Sequence, residues 1–186
     1  MKNINSTKYL TIDCELTGFG LDLITSYMGV IKDDKIISEL YLELIPDDEI
    51  FRVSPNSMAV NNIDLRSFKG TQYRYAKPKV YEFLKKAYEI DNQKLIPLGH
   101  GVGGDINIIC NSIISKGSWE NFVSLIPIDT LYIANFMRDI GKLKSDLISL
   151  QELIKYFNNI KGFTPHNAKD DALASYSIYK ELQKLI

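Results

Sequence analysis

Between residues 9 and 15 the chain reads Tyr-Leu-Thr-Ile-Asp-Cys-Glu, in which Leu10, Ile12 and Cys14 alternate with Thr11, Asp13 and Glu15. A period of two predicts a strand with one face in a core. After a glycine-containing turn over 19–23, Tyr27, Met28, Val30 and Ile31 mark a second strand over 24–32. Asp33 and Asp34 then turn the chain into 35–45, which is rich in Ile, Leu and Tyr. Three strands joined by such short connections pair antiparallel.

Beyond Ile45 the period changes. Ser54 and Pro55 suit the opening of a short helix over 56–62. Val80, Phe83, Leu84 and Ala87 repeat at i, i+3, i+4 and i+7 in a longer helix over 78–90, with Lys79, Glu82, Lys85 and Lys86 on its other face. From there strands and helices alternate: a strand over 94–98, a helix over 103–116, a strand over 124–129 and a helix over 130–138. Ser149 and Glu152 form a capping box for a helix running to about residue 157, and a last helix covers 170–185. The pattern predicts an α/β domain over 1–186, built on one mixed sheet of three antiparallel strands followed by parallel strands, with helices on its faces.

Composition fits that class and narrows the partners. Hydrophobic residues make up 45% and charged residues 24% of the 186 positions, and no run approaches the ~18 apolar residues of a membrane span. The opening residues lack the apolar core of a secretory signal, and the only cysteines are Cys14 and Cys110, so the expected compartment is cytoplasmic. A net charge of −1 excludes a protein that coats duplex nucleic acid through many phosphate contacts. It still permits an enzyme that grips one chain end with local charge.

The chemistry starts at Asp13 and Glu15. Side chains two apart in a strand share a face, separated by two rises of ~3.3 Å, so two carboxylates stand side by side. Keeping both ionised at the end of a core strand raises the free energy unless a cation sits between them. A solvated strand exit would explain the pair as well, were it not followed by Leu16-Thr17-Gly18 and by two distant acidic sites. The first of these is Gly99-His-Gly-Val-Gly-Gly-Asp105, between a strand and a helix with the apolar face Ile106, Ile109, Cys110, Ile113 and Ile114. The second is His166-Asn-Ala-Lys-Asp-Asp171, at the start of the last helix. Taken singly, Asp105 is an ordinary dipole-favoured acid in a first helical turn.

Gly99, Gly101 and Gly104 also satisfy G-x-G-x-x-G, with Asp129 placed as a ribose-binding acid, which admits a dinucleotide cofactor. Against it, Pro97 weakens the preceding strand, the fingerprint begins past mid-chain, and Asp13 and Glu15 stay unexplained.

Taken together, Asp13-Cys-Glu15-Leu-Thr-Gly18, Gly99-His100 with Asp105, and His166-x-Ala168 with Asp171-Ala172 resemble the three motifs of the DEDDh family of 3′ to 5′ exonucleases. That family includes the proofreading subunit of replicative polymerases, ribonuclease T and oligoribonuclease. The order and spacing match over roughly 8–182, and the segment 53–63 is similar to the family's helix between the third strand and the second motif. The resemblance implies a ribonuclease H-like fold in which Asp13, Glu15, Asp105 and Asp171 hold two divalent metals, Mg²⁺ or Mn²⁺, with His166 as general base. Its substrate would be the 3′ end of single-stranded DNA or RNA, met by backbone groups of Leu16 and Thr17 and released as nucleoside 5′-monophosphate. A polymerase or a second copy of the chain are the partners it allows.

The second motif departs from the family, which often has Gly-His-Asn and an aromatic just before the acid, where this chain has Gly101 and Gly104. Those glycines admit a second outcome, an end-binding module of the same fold that does not cut. Residues 69–79, Lys-Gly-Thr-Gln-Tyr-Arg-Tyr-Ala-Lys-Pro-Lys, interleave basic and aromatic side chains. They read as a solvated loop feeding a helix, with a single-strand binding edge as the alternative.

Overall fold

The computed structural model describes residues 7–18, 20–57, 63–144, 148–158 and 160–186. Its sheet is arranged around β1 (Tyr9–Leu16), whose Leu10, Thr11 and Ile12 are fully buried. β2 (Leu23–Lys32) pairs with it antiparallel, bringing Tyr27 opposite Asp13 and Thr25 opposite Glu15. β3 (Lys35–Ile45) continues antiparallel on β2. The turn between them is built by Asp33 and Asp34 at φ 52° and 58°. Two successive residues in the left-handed region give the hairpin turn whose twist matches the flanking strands. β4 (Thr71–Gln72) runs parallel to the end of β3, and on the other side of β1 come β5 (Ile96–Gly99) and β6 (Ile128–Asp129), also parallel. The order is β4-β3-β2-β1-β5-β6.

Alternation along β1 sends its side chains into two layers. Leu10 and Ile12 enter a core with α1 (Tyr73–Glu89), which contributes Ala76, Val80, Leu84 and Ala87. α2 (Val102–Ser112) and α3 (Lys116–Glu120) complete it with Val102, Ile109 and Trp119. The opposite face is covered by α4 (Thr130–Asp139), α5 (Leu150–Tyr156) and α6 (Ala168–Gln183), packed through Ala134, Met137, Leu153, Ile178 and Leu182. On that face Thr11 donates its hydroxyl to the Ala172 carbonyl, and Tyr9 stacks on Tyr176 and Tyr179. The capping box of Ser149 and Glu152 forms as the sequence predicts.

Several boundaries differ from expectation, each for a local reason. The helix expected from Pro78 begins at Tyr73, because Asp47 Oδ1 accepts the Arg74 N–H from outside and the Tyr73 hydroxyl anchors to both backbone groups of Leu23. Pro78 therefore lies inside α1, at the cost of one backbone bond. The helix expected over 103–116 divides, with Ser115 capping α3 through the Ser118 N–H. The strand expected over 124–129 is regular only at Ile128 and Asp129, and Leu95 bridges Val123 separately. Pro97 occupies the gap between those contacts. Its neighbour Ile96 donates to Lys8 O on the β1 side, so the missing N–H faces the interrupted side of the ladder. Residues 55–57 are helical, while the rest of the helix expected over 56–62, like Phe19 of the first turn, lies outside the described residues.

Gly99 lets β5 approach β1 and α2. A Cβ there would stand 2.8 Å from Ile12 O and 2.9 Å from the Val102 Cβ. Gly99→Ala is expected to destabilise the fold by about 1–3 kcal/mol, read as a lower denaturation midpoint, whereas Gly103→Ala, with no atom within 4 Å of its added Cβ, leaves it close to wild type.

Candidate functional site

At the end of β1 the first and third sequence motifs meet. The Glu15 carboxylate, the His166 imidazole and the Asp171 carboxylate each place a ligand atom within 4.8 Å of the others. Glu15 comes from the edge of the bulge that ends the β1–β2 pairing, and Asp171 from the first turn of α6. The Thr11 bond to Ala172 fixes that turn against the same face of β1. Asp13 sits one pleat behind Glu15, and Asp105 reaches β1 from the first turn of α2, beside Cys14.

Electrostatics tie the four acids together. Burial, then the charges of Asp105, Glu15 and Asp171, push the Asp13 carboxyl well above the usual carboxylate range. Burial and the neighbouring Asp171 raise Glu15 to about 7. Burial likewise raises Asp105 to about 7, against hydrogen bonds from the Cys14 side chain and backbone that favour its charge. Asp171 is raised by burial and restrained by the His166 N–H and imidazole. Four carboxyls raised by burial in this way make a site short of positive charge.

The segment before α6 is laced to the first turn of that helix. Asn167 caps it by accepting the Lys169 and Asp170 N–H groups, and Thr164 N–H donates to Asp170 Oδ2. His166 N–H donates to Asp171 Oδ2 at 3.0 Å while its backbone takes a left-handed φ of 60°. A non-glycine residue held there stores of order 1–3 kcal/mol, a feature that clusters at functional sites. The imidazole itself is exposed. Asp171 Oδ1, in contrast, is buried with no hydrogen-bond partner. A cation beside Glu15 and Asp171 would satisfy that oxygen and lower the raised carboxyls, so the donor set fits a hard divalent ion.

The remaining candidates divide between scaffold and site. Thr17 is buried, with its N–H donating to Asp22 O, its carbonyl accepting from Ser54 N and its hydroxyl donating to Arg52 O. These bonds hold the turn after β1 and engage both Thr17 backbone groups within the protein, which leaves the contact with a terminal nucleotide expected of them without a spare N–H. Leu16, half-buried, lies next to it. In the glycine-rich loop, Gly101 caps α2 at φ 75° and donates to Asp129 Oδ1, which also accepts the Leu131 N–H at the start of α4. Asp129 is thus spent on two backbone bonds rather than offered to a ribose. A Cβ at Gly104 would meet nothing within 4 Å. His100 shares a hydrogen bond with the Thr130 hydroxyl, which in turn donates to Gly99 O, and burial lowers its pKa. It ties the loop to α4.

One group of residues escaped sequence reading. Tyr27, opposite Asp13, donates its hydroxyl to Glu39 on β3, and Lys169 pairs with Glu39 while lying 5.6 Å from the Tyr27 ring centroid. The group connects the first turn of α6 to two strands. No local pattern marks it, because Lys169 and Glu39 lie 130 residues apart in the chain.

No protein-family model and no curated protein sequence matches the chain. Solved structures do. A 3′-exonuclease whose structure shows 3′-end specific recognition of histone mRNA stem-loop matches with a TM-score of 0.70 and 14% identity over 98% of this chain and 67% of that one. The nuclease domain of 3′hExo, a DEDDh family member bound to rAMP, matches at 0.62 and 12% over 98% and 94%. Exonuclease X in complex with 5′ overhanging duplex DNA matches at 0.57 and 14% over 96% and 91%. The chain has the ribonuclease H-like fold of these exonucleases. In this fold the antiparallel and parallel halves of the sheet meet at β1, which puts its acids at the junction. Among the described residues no helix is long and apolar enough to cross a membrane.

Raised carboxyls give the stability a definite pH dependence. Because Glu15 titrates near 7 in the fold and at 4.5 ordinarily, its contribution is fully present below 4.5 and is lost as pH rises through 7. In chelator, Glu15→Gln is expected to match wild type near pH 4 and to exceed it by about 1–2 kcal/mol at pH 8, measured by thermal denaturation. A gap that closes instead as pH rises would refute the crowding of these charges.

Proposed function

We propose that the chain is a metal-dependent 3′ to 5′ exonuclease, a single domain over 1–186 that hydrolyses the terminal phosphodiester of single-stranded DNA or RNA and releases nucleoside 5′-monophosphates. The observation that carries this is the convergence of Glu15, His166 and Asp171 within 4.8 Å, from opposite ends of the sequence, in a fold shared with 3′-exonucleases. Asp13 and Asp105 lie beside this set, and the charge of Asp105 adds to the burial that raises the Asp13 carboxyl.

Each residue has a distinct part. Asp13, Glu15, Asp105 and Asp171 are the ligands, and Asp171 Oδ1 is the oxygen that a cation would satisfy. When bound, two Mg²⁺ or Mn²⁺ ions supply a more acidic water and neutralise charge at the phosphate and the leaving oxygen. His166 takes the proton of the attacking water, an arrangement suited by an exposed ring on a backbone pinned to Asp171. The new P–O bond forms in line as the bond to the 3′ oxygen breaks, and that oxygen then takes up a proton. The buried turn at Thr17 gives Leu16 a fixed place from which to meet the terminal nucleotide.

Incubation of the purified protein with single-stranded oligonucleotides and Mn²⁺ should give chelator-sensitive release of monophosphates from the 3′ end. Asp13→Asn should abolish release with the fold intact, and His166→Ala should slow it about 10²–10⁴-fold. Intact oligonucleotide that stays bound in Mn²⁺ would replace this reading with the non-cutting end-binding module. An unchanged rate in His166→Ala would remove the base assignment.

A further inference from the structure

Residues 65–81 contain five cations, Arg66, Lys69, Arg74, Lys77 and Lys79, and no acid, although the whole chain carries a net charge of −1. Lys69, Lys77 and Lys79 are exposed and make no ion pair among the described residues. Tyr75 is 60% exposed, with the Arg74 guanidinium 5.0 Å from its ring centroid, so an aromatic face and a cation stand together in solvent. Asp47 and Glu49 face this strip but are engaged by the Arg74 N–H and the Gln72 amide.

The strip is rooted at the catalytic end of the sheet. Glu15 lies opposite Thr25, Thr25 opposite Glu43, and the next residue, Leu44, opposite Thr71 of β4, which leads directly into α1. Tyr73 clamps the helix start by bonding both the N–H and the carbonyl of Leu23, the residue opposite Leu16. Three strand spacings, on the order of 14 Å, separate β1 from β4 within the sheet, and α1 packs on the face opposite Asp13 and Glu15, so a strand running between the two passes around the β4 edge. At the ~3.4 Å spacing of stacked nucleotides the lateral part alone takes roughly four nucleotides.

From this placement we infer that the start of α1 and the loop before it form an electrostatic and stacking track for a single strand of nucleic acid, holding it upstream of the 3′ end that occupies the acidic site. The assignment rests on the exonuclease reading for its choice of partner. Lysines without partner acids suit the phosphates, and an exposed tyrosine backed by arginine suits a base of any identity. Recognition here is therefore independent of sequence.

Binding of a labelled twelve-nucleotide single strand, followed by fluorescence anisotropy in chelator, tests the track apart from turnover. Lys77→Glu/Lys79→Glu should weaken binding at least tenfold and flatten the dependence of log K on log salt by about 1.4. Tyr75→Ala should weaken binding about tenfold for a normal strand and leave an abasic strand unaffected. The matched variant Lys35→Glu/Lys94→Glu, at the far end of the sheet, should bind as wild type does. Equal binding by the two double variants, both shown folded by circular dichroism, would overturn the track, as would equal competition by a polyglutamate of matched charge. A wild-type protein that binds through the strip yet releases no monophosphate in Mn²⁺ would instead overturn the exonuclease reading and leave the track standing.

Discussion

Carboxylates taken out of water beside one another cost free energy, and this chain concentrates that cost at the end of its central strand. Asp13 lies on a strand paired on both sides and covered by helices on both faces, which is why burial is the largest cause of its raised pKa and the charges of Asp105, Glu15 and Asp171 add to it. Among the described residues, the leading influences on Asp13 and Glu15 are burial and neighbouring acids. His166 works the other way on Asp171, where its backbone N–H and its ring lower the carboxyl and favour the charged form. Such a cluster is stable when ionised only with positive charge supplied from outside the chain.

Much of the surrounding structure serves to hold the acids against their repulsion. Gly99 admits the close approach that brings α2 and Asp105 to β1, and Asp129 and Thr130 fasten the intervening loop from α4. On the opposite face, Thr11 and the Tyr27–Glu39–Lys169 group secure the first turn of α6, which carries Asp171. The left-handed backbone of His166 is kept by the bond from its N–H to the same carboxylate. Two layers of helices thus converge on one strand end, and the strain of the arrangement is spread over contacts that have no chemistry of their own.

How much of this could be read beforehand follows from the range of each interaction. The three antiparallel strands were legible because alternation in 9–15 and the Asp33–Asp34 turn are local signals, and the acids were legible because their residue types and order are unusual for a core. The two-residue strand β4 was not, since its pairing is decided by a partner far away in sequence, and β6 is the last part of the strand expected over 124–129. Pro78 suggested a helix start, but a carboxylate at Asp47 and a hydroxyl at Tyr73 set the true one. The glycine loop matched a dinucleotide fingerprint by spacing alone. Its geometry shows Gly99 and Gly101 required by close approach and backbone sign, Gly104 in open space, and Asp129 already committed. Nothing in the local sequence could show that Asp171 Oδ1 is left without a partner, because that depends on every element packed around it.

Titrating Mn²⁺ into the wild-type chain and into Asp171→Asn at pH 7.5, with free Mn²⁺ followed by electron paramagnetic resonance, addresses the acidic cluster most directly. Saturable uptake by the wild type that is lost or weakened at least tenfold in the variant is the expected result. Equal uptake by both chains, or none by the wild type, would contradict a cation site at the end of β1.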